Sequence, residues 1–176
     1  DKKVEASRNF ANKIWNAARF ILMNLDENEP APHIPADLAL EDKWILSQFN
    51  SLAKEVTENL DKFELGIAVA KLYDFIWDIF CDWYIELLKP RLNAGDKVAQ
   101  NVISYVLIET LKMLHPFMPF ITEEIYTTMP HTCESIMISE FPKASDALRF
   151  ADDEAEMEKI ISLIKAIRAR RTEMGV

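Results

Sequence analysis

The 176-residue sequence has only three histidines and two cysteines, and these do not occur in catalytic spacings. The sequence contains no glycine-rich phosphate loop, no G-x-S-x-G motif and no nucleophile paired with a base. Its three histidines, His33, His115 and His131, show no metal-ligand spacing. His115 precedes Pro116 at a predicted helix end, where we expect a structural cap. These residues favour a binding or interaction module over an enzyme with its own active site.

The most regular polar pattern is a row of carboxylates spaced four residues apart, at Asp74, Asp78, Asp82 and Glu86. Such a row resembles half of a carboxylate metal site in a helical bundle. Di-metal bundles also need Glu-x-x-His pairs on partner helices, and the sequence has none. We therefore expect a solvated or arginine-paired row, no metal and no cofactor in this chain.

The first predicted helix, over residues 3–25, carries side chains that suit RNA. One face is apolar, and the opposite face is polar and basic, with Arg8, Asn12, Asn16 and Arg19. Phe20 follows Asn16 by about one turn and so falls on this polar face. An aromatic ring there is what base stacking requires. The alternative is that Phe20 covers a neighbouring loop.

The charge distribution separates the chain ends from the middle. The formal net charge is −9, which taken alone argues against binding nucleic acid. Residues 1–19 and residues 165–176 each carry +3, which leaves −15 on the segment between them. Because local patches rather than the total charge decide phosphate binding, the two ends keep RNA binding open. The last helix runs from acidic to basic, as the helix dipole prefers, so its basic end is not by itself proof of RNA contact.

Apolar spacings of three and four residues, with only three glycines, predict an all-α helical bundle of about six helices. The central helix should be the aromatic stretch LYDFIWDIFCDWYIELLKP, enclosed by the others and ended by Pro90. Asp37 should cap the second helix and Pro119 should open the fifth. SIMISEF alternates like a short strand. The predicted helices cover residues 3–25, 38–59, 65–90, 97–114, a segment from 119, and 152–174.

Two details of this pattern bear on function. In the last helix we expect the apolar residues to be buried, namely Met157, Ile160, Ile161, Ile164 and Ile167. Ile85 departs from the apolar stripe of the central helix and is expected to be exposed, either as an ordinary surface residue or as part of a contact surface. The two cysteines fit a reduced, cytoplasmic protein.

Several segments together resemble one family. RNFANKIWNAARFILMNL, DKWILSQFN, LYDFIWDIFCDWYIELLKPRL and MLHPFMPFITEEIY look like the anticodon-binding helical bundle of valyl-tRNA synthetases, which are class I aminoacyl-tRNA synthetases. The likeness covers almost the whole chain, in order. It implies a bundle over residues 1–146 and a terminal helix, 147–176, that leads toward a C-terminal arm.

The resemblance implies a complete enzyme that ligates valine to its tRNA with ATP and Mg²⁺. The catalytic and editing domains would lie elsewhere in the same polypeptide, so this chain should be inactive alone. The expected partners are the anticodon stem-loop of valine tRNA and those domains. We expect a cytoplasmic monomer that makes no membrane contact.

The resemblance also implies a tRNA-binding surface on the first helix and on the C-terminal end of the central helix. Phe20 and Ile85 would hold unstacked anticodon bases between them, and the basic residues would contact phosphates. Gln48 stands where the family often has arginine, which could remove one phosphate contact. The implied set is Lys2, Arg8, Asn12, Lys13, Asn16, Arg19, Phe20, Ile85 and Lys89.

Two other interpretations remain open. The chain could be the corresponding bundle of another class I synthetase, isoleucyl first, which the anticodon preference would reveal. It could instead be a helical protein-interaction scaffold that binds no RNA, which salt-dependent binding of tRNA would contradict.

Overall fold

The computed structural model describes residues 2–26 and 30–175, with side chains from residue 4 onward. Its helices are α1 (Lys2–Leu22), α2 (Leu40–Asp61), α3 (Leu65–Asp74), the π-helical segment π1 (Phe75–Tyr84), α4 (Ile85–Asn93), α5 (Lys97–Leu114), α6 (Pro119–Thr128) and α7 (Ala151–Glu173). Because α3, π1 and α4 are continuous, the described residues form six helical rods and no strand, which confirms the all-α prediction. No helix in this part of the chain is both long enough and apolar enough to cross a membrane.

The central rod, α3–π1–α4, packs against α1, α2 and α5. Seven of its buried residues recur at every fourth position, at Ala68, Leu72, Ile76, Phe80, Tyr84, Leu88 and Leu92, with Phe75 and Ile85 buried beside them. In a pure α-helix such a stripe drifts by about 40° per step, because one turn takes 3.6 residues. A π-helix closes i→i+5 hydrogen bonds and takes about 4.4 residues per turn, so in it a stripe of every fourth residue drifts in the opposite direction. The π segment therefore keeps one stripe facing the core.

The same change of period explains why the prediction for Ile85 is wrong. Ile85 is only 7% exposed and belongs to the hydrophobic core. A π-helix turns through a smaller angle per residue than an α-helix, so over ten residues its total rotation is smaller by about half a turn. A residue that α-helical spacing places on the outer face is thereby carried inward.

The prediction that Pro90 ends the central helix is also wrong, because α4 continues to Asn93. Leu88 and Leu92 are buried on either side of the proline. Arg91 fixes this turn by donating to Glu41 at 2.7 Å, Asp42 at 2.9 Å and Asp96 at 2.7 Å. These contacts hold the helix across a residue that lacks the N–H for its own helical hydrogen bond.

The second helix begins later than predicted, and Asp37 is not its cap. The N-cap residue is Ala39, whose N–H donates to the Asp42 carboxylate at 3.1 Å. Asp42 is fully buried and also accepts from the Tyr84 hydroxyl at 3.1 Å. Burial raises the pKa of this carboxyl, against the opposing effect of Arg91. Asp42 thus joins α2 to the central rod.

The segments after the central rod agree with the predictions made from the sequence, except at the strand-like segment. α5 spans Lys97–Leu114, and Pro119 is the first residue of α6. The strand-like SIMISEF instead contains a 3₁₀ turn, Ile136–Ile138. The Glu123 carboxylate accepts from the Ser135 hydroxyl at 3.1 Å and from the backbone N–H of Ile136 at 3.3 Å, which holds the turn on α6 rather than in a sheet.

The last helix, α7, buries less than predicted. Met157 and Ile161 are buried, but Ile160 and Ile167 are 38% and 52% exposed. The described polar contacts of α7 with α2 lie in its first turn, where Lys43 pairs with Asp153 and where Ser47 and Gln48 donate to Glu154. The second half of α7 therefore has no buried side chain, and its residues from Lys165 onward are all exposed within the described part of the chain.

Candidate nucleic-acid interface

The outer face of α1 carries the predicted polar side chains. α1 is fixed by a buried stripe on its inner face, consisting of Phe10, Ile14, Ala17, Ala18 and Ile21. All four outer residues, Arg8, Asn12, Asn16 and Arg19, are exposed. The structure thus brings two guanidinium groups and two amides together on one side of one helix. This combination suits contacts to phosphates and to base edges.

Lys13, at the edge of this face, already has partners within the chain. Its ammonium donates to Asp82 at 2.7 Å and lies 3.8 Å from the centre of the Trp77 ring. The side chain is 22% exposed. Its charge is therefore compensated by a carboxylate, whereas Arg8 has no such partner among the described residues.

Phe20 and Lys89 occupy intermediate positions. Phe20 is half-buried and packs against the core, and its carbonyl accepts from Asn24 at 2.8 Å. Lys89 pairs with Glu86 at 2.6 Å. Ile85 is buried, so it does not reach a ligand on the surface. The side chain of Lys2 lies outside the described residues, and its role remains a prediction.

Two aromatic residues beside α1 were missed as candidate ligand contacts. Tyr73 stacks on Trp77 with 5.6 Å between ring centres and 9° between planes, and Phe10 lies 4.6 Å from Tyr73. Tyr73 is 37% exposed, although the sequence placed it in the buried stripe. The signal in the sequence is the pair of aromatics four residues apart, of which α-helical spacing assigns Tyr73 to the apolar stripe and leaves Trp77 outside it.

The contacts of α1 with the central rod also give the relative direction of these two elements. Phe10 meets Tyr73, and Lys13 meets Trp77 and Asp82, so the two elements run parallel. Continuing this direction brings the Phe20 end of α1 toward the level of α4. Of the predicted residues, Arg19 and Phe20 therefore lie toward the same end of the bundle as Lys89, whereas Arg8 lies near the level of Tyr73.

The remaining candidate groups have structural partners. His115 Nδ1 lies 2.7 Å from the Thr122 hydroxyl, which ties the end of α5 to α6. Burial raises the pKa of Cys81 to about 12, so its thiol is a poor nucleophile at neutral pH. Gln48 donates to Glu154 of α7 and is not part of the α1 face. Within the described residues, no three His, Cys, Asp or Glu side chains are grouped to hold a metal ion.

Comparison with known proteins connects this geometry to a family. Residues 42–176 match the family model described as the anticodon-binding domain of tRNA ligase. The valine-tRNA ligases of Clostridium acetobutylicum and Clostridium perfringens are each 51% identical over 180 residues, which is 99% of this chain and 20% of each relative. The enzyme of Staphylococcus saprophyticus is 45% identical over 179 residues. The chain thus spans about a fifth of the length of these relatives.

A solved structure shares the fold. The LeuRS agnB2 of Agrobacterium radiobacter K84, described as a ternary complex with tRNA and LeuAMS, superposes with a TM-score of 0.63 at 21% identity. The match covers 83% of this chain and 17% of that one. The helix α1 precedes the family-model match, but the alignments with the valine-tRNA ligases include it. The chain therefore belongs to the anticodon-binding domain family of tRNA ligases, and its sequence is similar to the corresponding fifth of valine-tRNA ligases.

Proposed function

We propose that this chain binds the anticodon stem-loop of a valine tRNA. The observation that carries the proposal is the exposed face of Arg8, Asn12, Asn16 and Arg19, presented by a helix whose other face is locked in the core. The relatives are valine-tRNA ligases, and the solved neighbour is a synthetase bound to tRNA. A basic and amide-bearing face in such a family fits an RNA loop with splayed bases.

The roles within the surface follow from side-chain chemistry. Arg8 and Arg19 would contact phosphates, because each offers a charged fork of donors. Asn12 and Asn16 would read base edges, because an amide both donates and accepts. Phe20 would stack a base with the exposed part of its ring, and Lys89 would contribute charge. Lys13 is held by Asp82 and contributes less charge than its type suggests.

The activity of the complete enzyme is part of the same proposal. Ligation of valine to tRNA, with ATP and Mg²⁺, would be carried out by catalytic and editing domains in the rest of the polypeptide. This chain would be inactive alone, since its sequence contains neither the HIGH nor the KMSKS motif of the catalytic domain. We further propose a cytoplasmic monomer, with residues 147–176 leading toward a C-terminal arm.

The test is a titration of the chain with a valine anticodon stem-loop at 50 and 200 mM salt. Binding should weaken as the salt concentration rises, because phosphate contacts release counterions. The variant Arg8→Gln/Arg19→Gln should bind more weakly than the matched control Lys62→Gln/Lys143→Gln, which removes two exposed lysines elsewhere. Equal binding by both variants would contradict the assignment of the site to α1. No binding of the unmodified chain at low salt would contradict RNA recognition by this chain.

A further inference from the structure

The exposed half of α7 is held against the central rod by two cations. Lys165 Nζ lies 5.6 Å from the centre of the Trp83 ring, and the Arg168 guanidinium carbon lies 5.2 Å from it. Residues 165 and 168 are three apart and so lie on the same side of a helix. Cation–π contacts of this kind orient long side chains without neutralising their charge. The basic end of α7 is therefore fixed in position and still charged.

Trp83 places this basic end next to the proposed RNA surface. Its neighbour in the chain, Asp82, binds Lys13 of α1 at 2.7 Å. The same turn of π1 is thus contacted by α1 through Asp82 and by α7 through Trp83. These two helices carry the basic ends of an otherwise acidic chain, with +3 over residues 1–19 and +3 over residues 165–176.

In the basic end of α7, over residues 165–173, three cations keep free donors. Arg170 pairs with Glu173 at 2.9 Å, so its charge is compensated. Lys165, Arg168 and Arg171 are exposed and have no carboxylate partner among the described residues. We call these three residues the α7 cation patch. An arginine that lies over an aromatic ring keeps its N–H groups available at its edge, where a phosphate can accept two hydrogen bonds.

We propose that the α7 cation patch is a second phosphate-binding surface for the same RNA, positioned by Trp83. This inference rests on the proposed function of α1. The patch contains cations alone, which suit phosphate oxygens, and in this proposal it contacts the backbone and adds affinity without sequence preference. The RNA would be held between α1 and α7, across π1.

The experiment compares two triple variants of the full chain. Lys165→Gln/Arg168→Gln/Arg171→Gln removes the patch, and Lys54→Gln/Lys62→Gln/Lys143→Gln removes three exposed lysines elsewhere. Each is titrated with the valine stem-loop, and with a loop changed at the central anticodon base, at several salt concentrations. The patch variant should show a salt slope shallower by about two and an affinity about tenfold or more lower at low salt. Arg168→Lys, which keeps the charge, should retain most of the affinity.

The outcomes separate this inference from the function on which it rests. If the unmodified chain binds and both triple variants bind alike, the inference is wrong and the proposed function stands. If the patch variant loses discrimination between the two loops along with affinity, the patch does not act through the backbone alone and the inference is overturned. If the unmodified chain binds neither loop, both proposals fail. Circular dichroism of each variant shows whether the helices remain intact.

Discussion

Phe20 is the single residue on which the proposed base stacking depends. Replacing it by alanine should weaken stem-loop binding by about 1–3 kcal/mol, the typical contribution of one stacked base. Because Phe20 is half-buried, alanine also removes packing, so Phe20→Leu is the more specific variant. Leucine keeps an apolar side chain but offers no ring. Titration of both variants should show loss of affinity, while thermal unfolding should show little change for leucine.

The matched control for this prediction is Phe120→Ala. Phe120 is 90% exposed, lies in the first turn of α6 and is not one of the residues proposed to contact RNA. Its removal should change neither stability nor RNA affinity. Unchanged binding by Phe20→Leu would show that the ring covers core residues rather than stacking a base.

Lys13 and Asp82 form an ion pair, and the joint replacement of both residues should have almost no effect on RNA binding. Their 2.7 Å ion pair is close to neutral, so Lys13→Gln/Asp82→Asn should leave the salt slope of stem-loop binding unchanged. Arg8→Gln removes an uncompensated cation and should reduce the slope by about 0.7–0.9. Isothermal titrations at four salt concentrations measure both slopes. Equal reductions would mean that Lys13 leaves Asp82 to contact a phosphate.

At the scale of secondary structure, Pro90 lies inside α4, and we expect its replacement to stabilise the folded chain. Inside a helix, proline removes one hydrogen bond and its ring crowds the carbonyl four residues earlier. Pro90→Ala should therefore raise the free energy of unfolding by about 1–3 kcal/mol. Urea unfolding followed by circular dichroism checks this value.

Pro119→Ala is the appropriate comparison, because Pro119 occupies the first position of α6, where proline is favoured. This variant should be neutral or slightly less stable. A destabilised Pro90→Ala chain would contradict the continuous helix and would support an end at residue 90.

Asp96 joins the start of α5 to the central rod, and its effect should depend on pH. The carboxylate accepts from Val98 N–H at 2.9 Å and from Arg91 Nε at 2.7 Å. Partial burial alone would raise the pKa of Asp96, but the bonds from Arg91 and from the helix amides outweigh it, and the pKa is lowered. The stabilisation is therefore fully present above the unfolded pKa of about 3.9, and it is lost as the pH falls through the lower folded value.

The variant that tests this is Asp96→Asn, which keeps the helix cap and removes the charge. It should be less stable than the unmodified chain by about 1 kcal/mol at pH 7. The difference should shrink as the pH falls below about 4, since the aspartate then becomes protonated. A difference that stays constant from pH 7 to pH 3 would mean that the charge of Asp96 plays no part.

The helices also show which features of the fold could be predicted from the sequence and which could not. Phe10, Ile14 and Ile21 follow ordinary α-helical spacing, and their burial was predictable. Ile85 was not, because a π-helix has no signal that α-helical spacing recognises. For Pro90, the local rule was overridden by tertiary contacts of Arg91. Such contacts, like the pairing of Lys13 with Asp82, join residues far apart in the chain, and no local pattern reports them.

For the whole molecule, charge distribution matters more than total charge. The net charge of −9 would repel RNA if it were uniform, yet the basic residues are concentrated at the two chain ends. The structure brings α1 and α7, which carry these ends, to one turn of π1. The carboxylates of that rod, including Asp78 and Glu86, remain exposed nearby. An RNA that uses both basic helices must therefore keep its phosphates clear of this acidic row.

A competition between two anticodon stem-loops for the unmodified chain distinguishes anticodon recognition from binding to the RNA backbone alone. One loop carries a valine anticodon and the other differs only at the central anticodon base. We expect the valine loop to bind more tightly, by about 1–3 kcal/mol for one well-recognised base, and the preference to disappear in Asn12→Ala/Asn16→Ala, which removes the amides proposed to read base edges. Equal, salt-sensitive binding of the two loops would contradict anticodon recognition and would reduce the α1 surface to a backbone-binding patch.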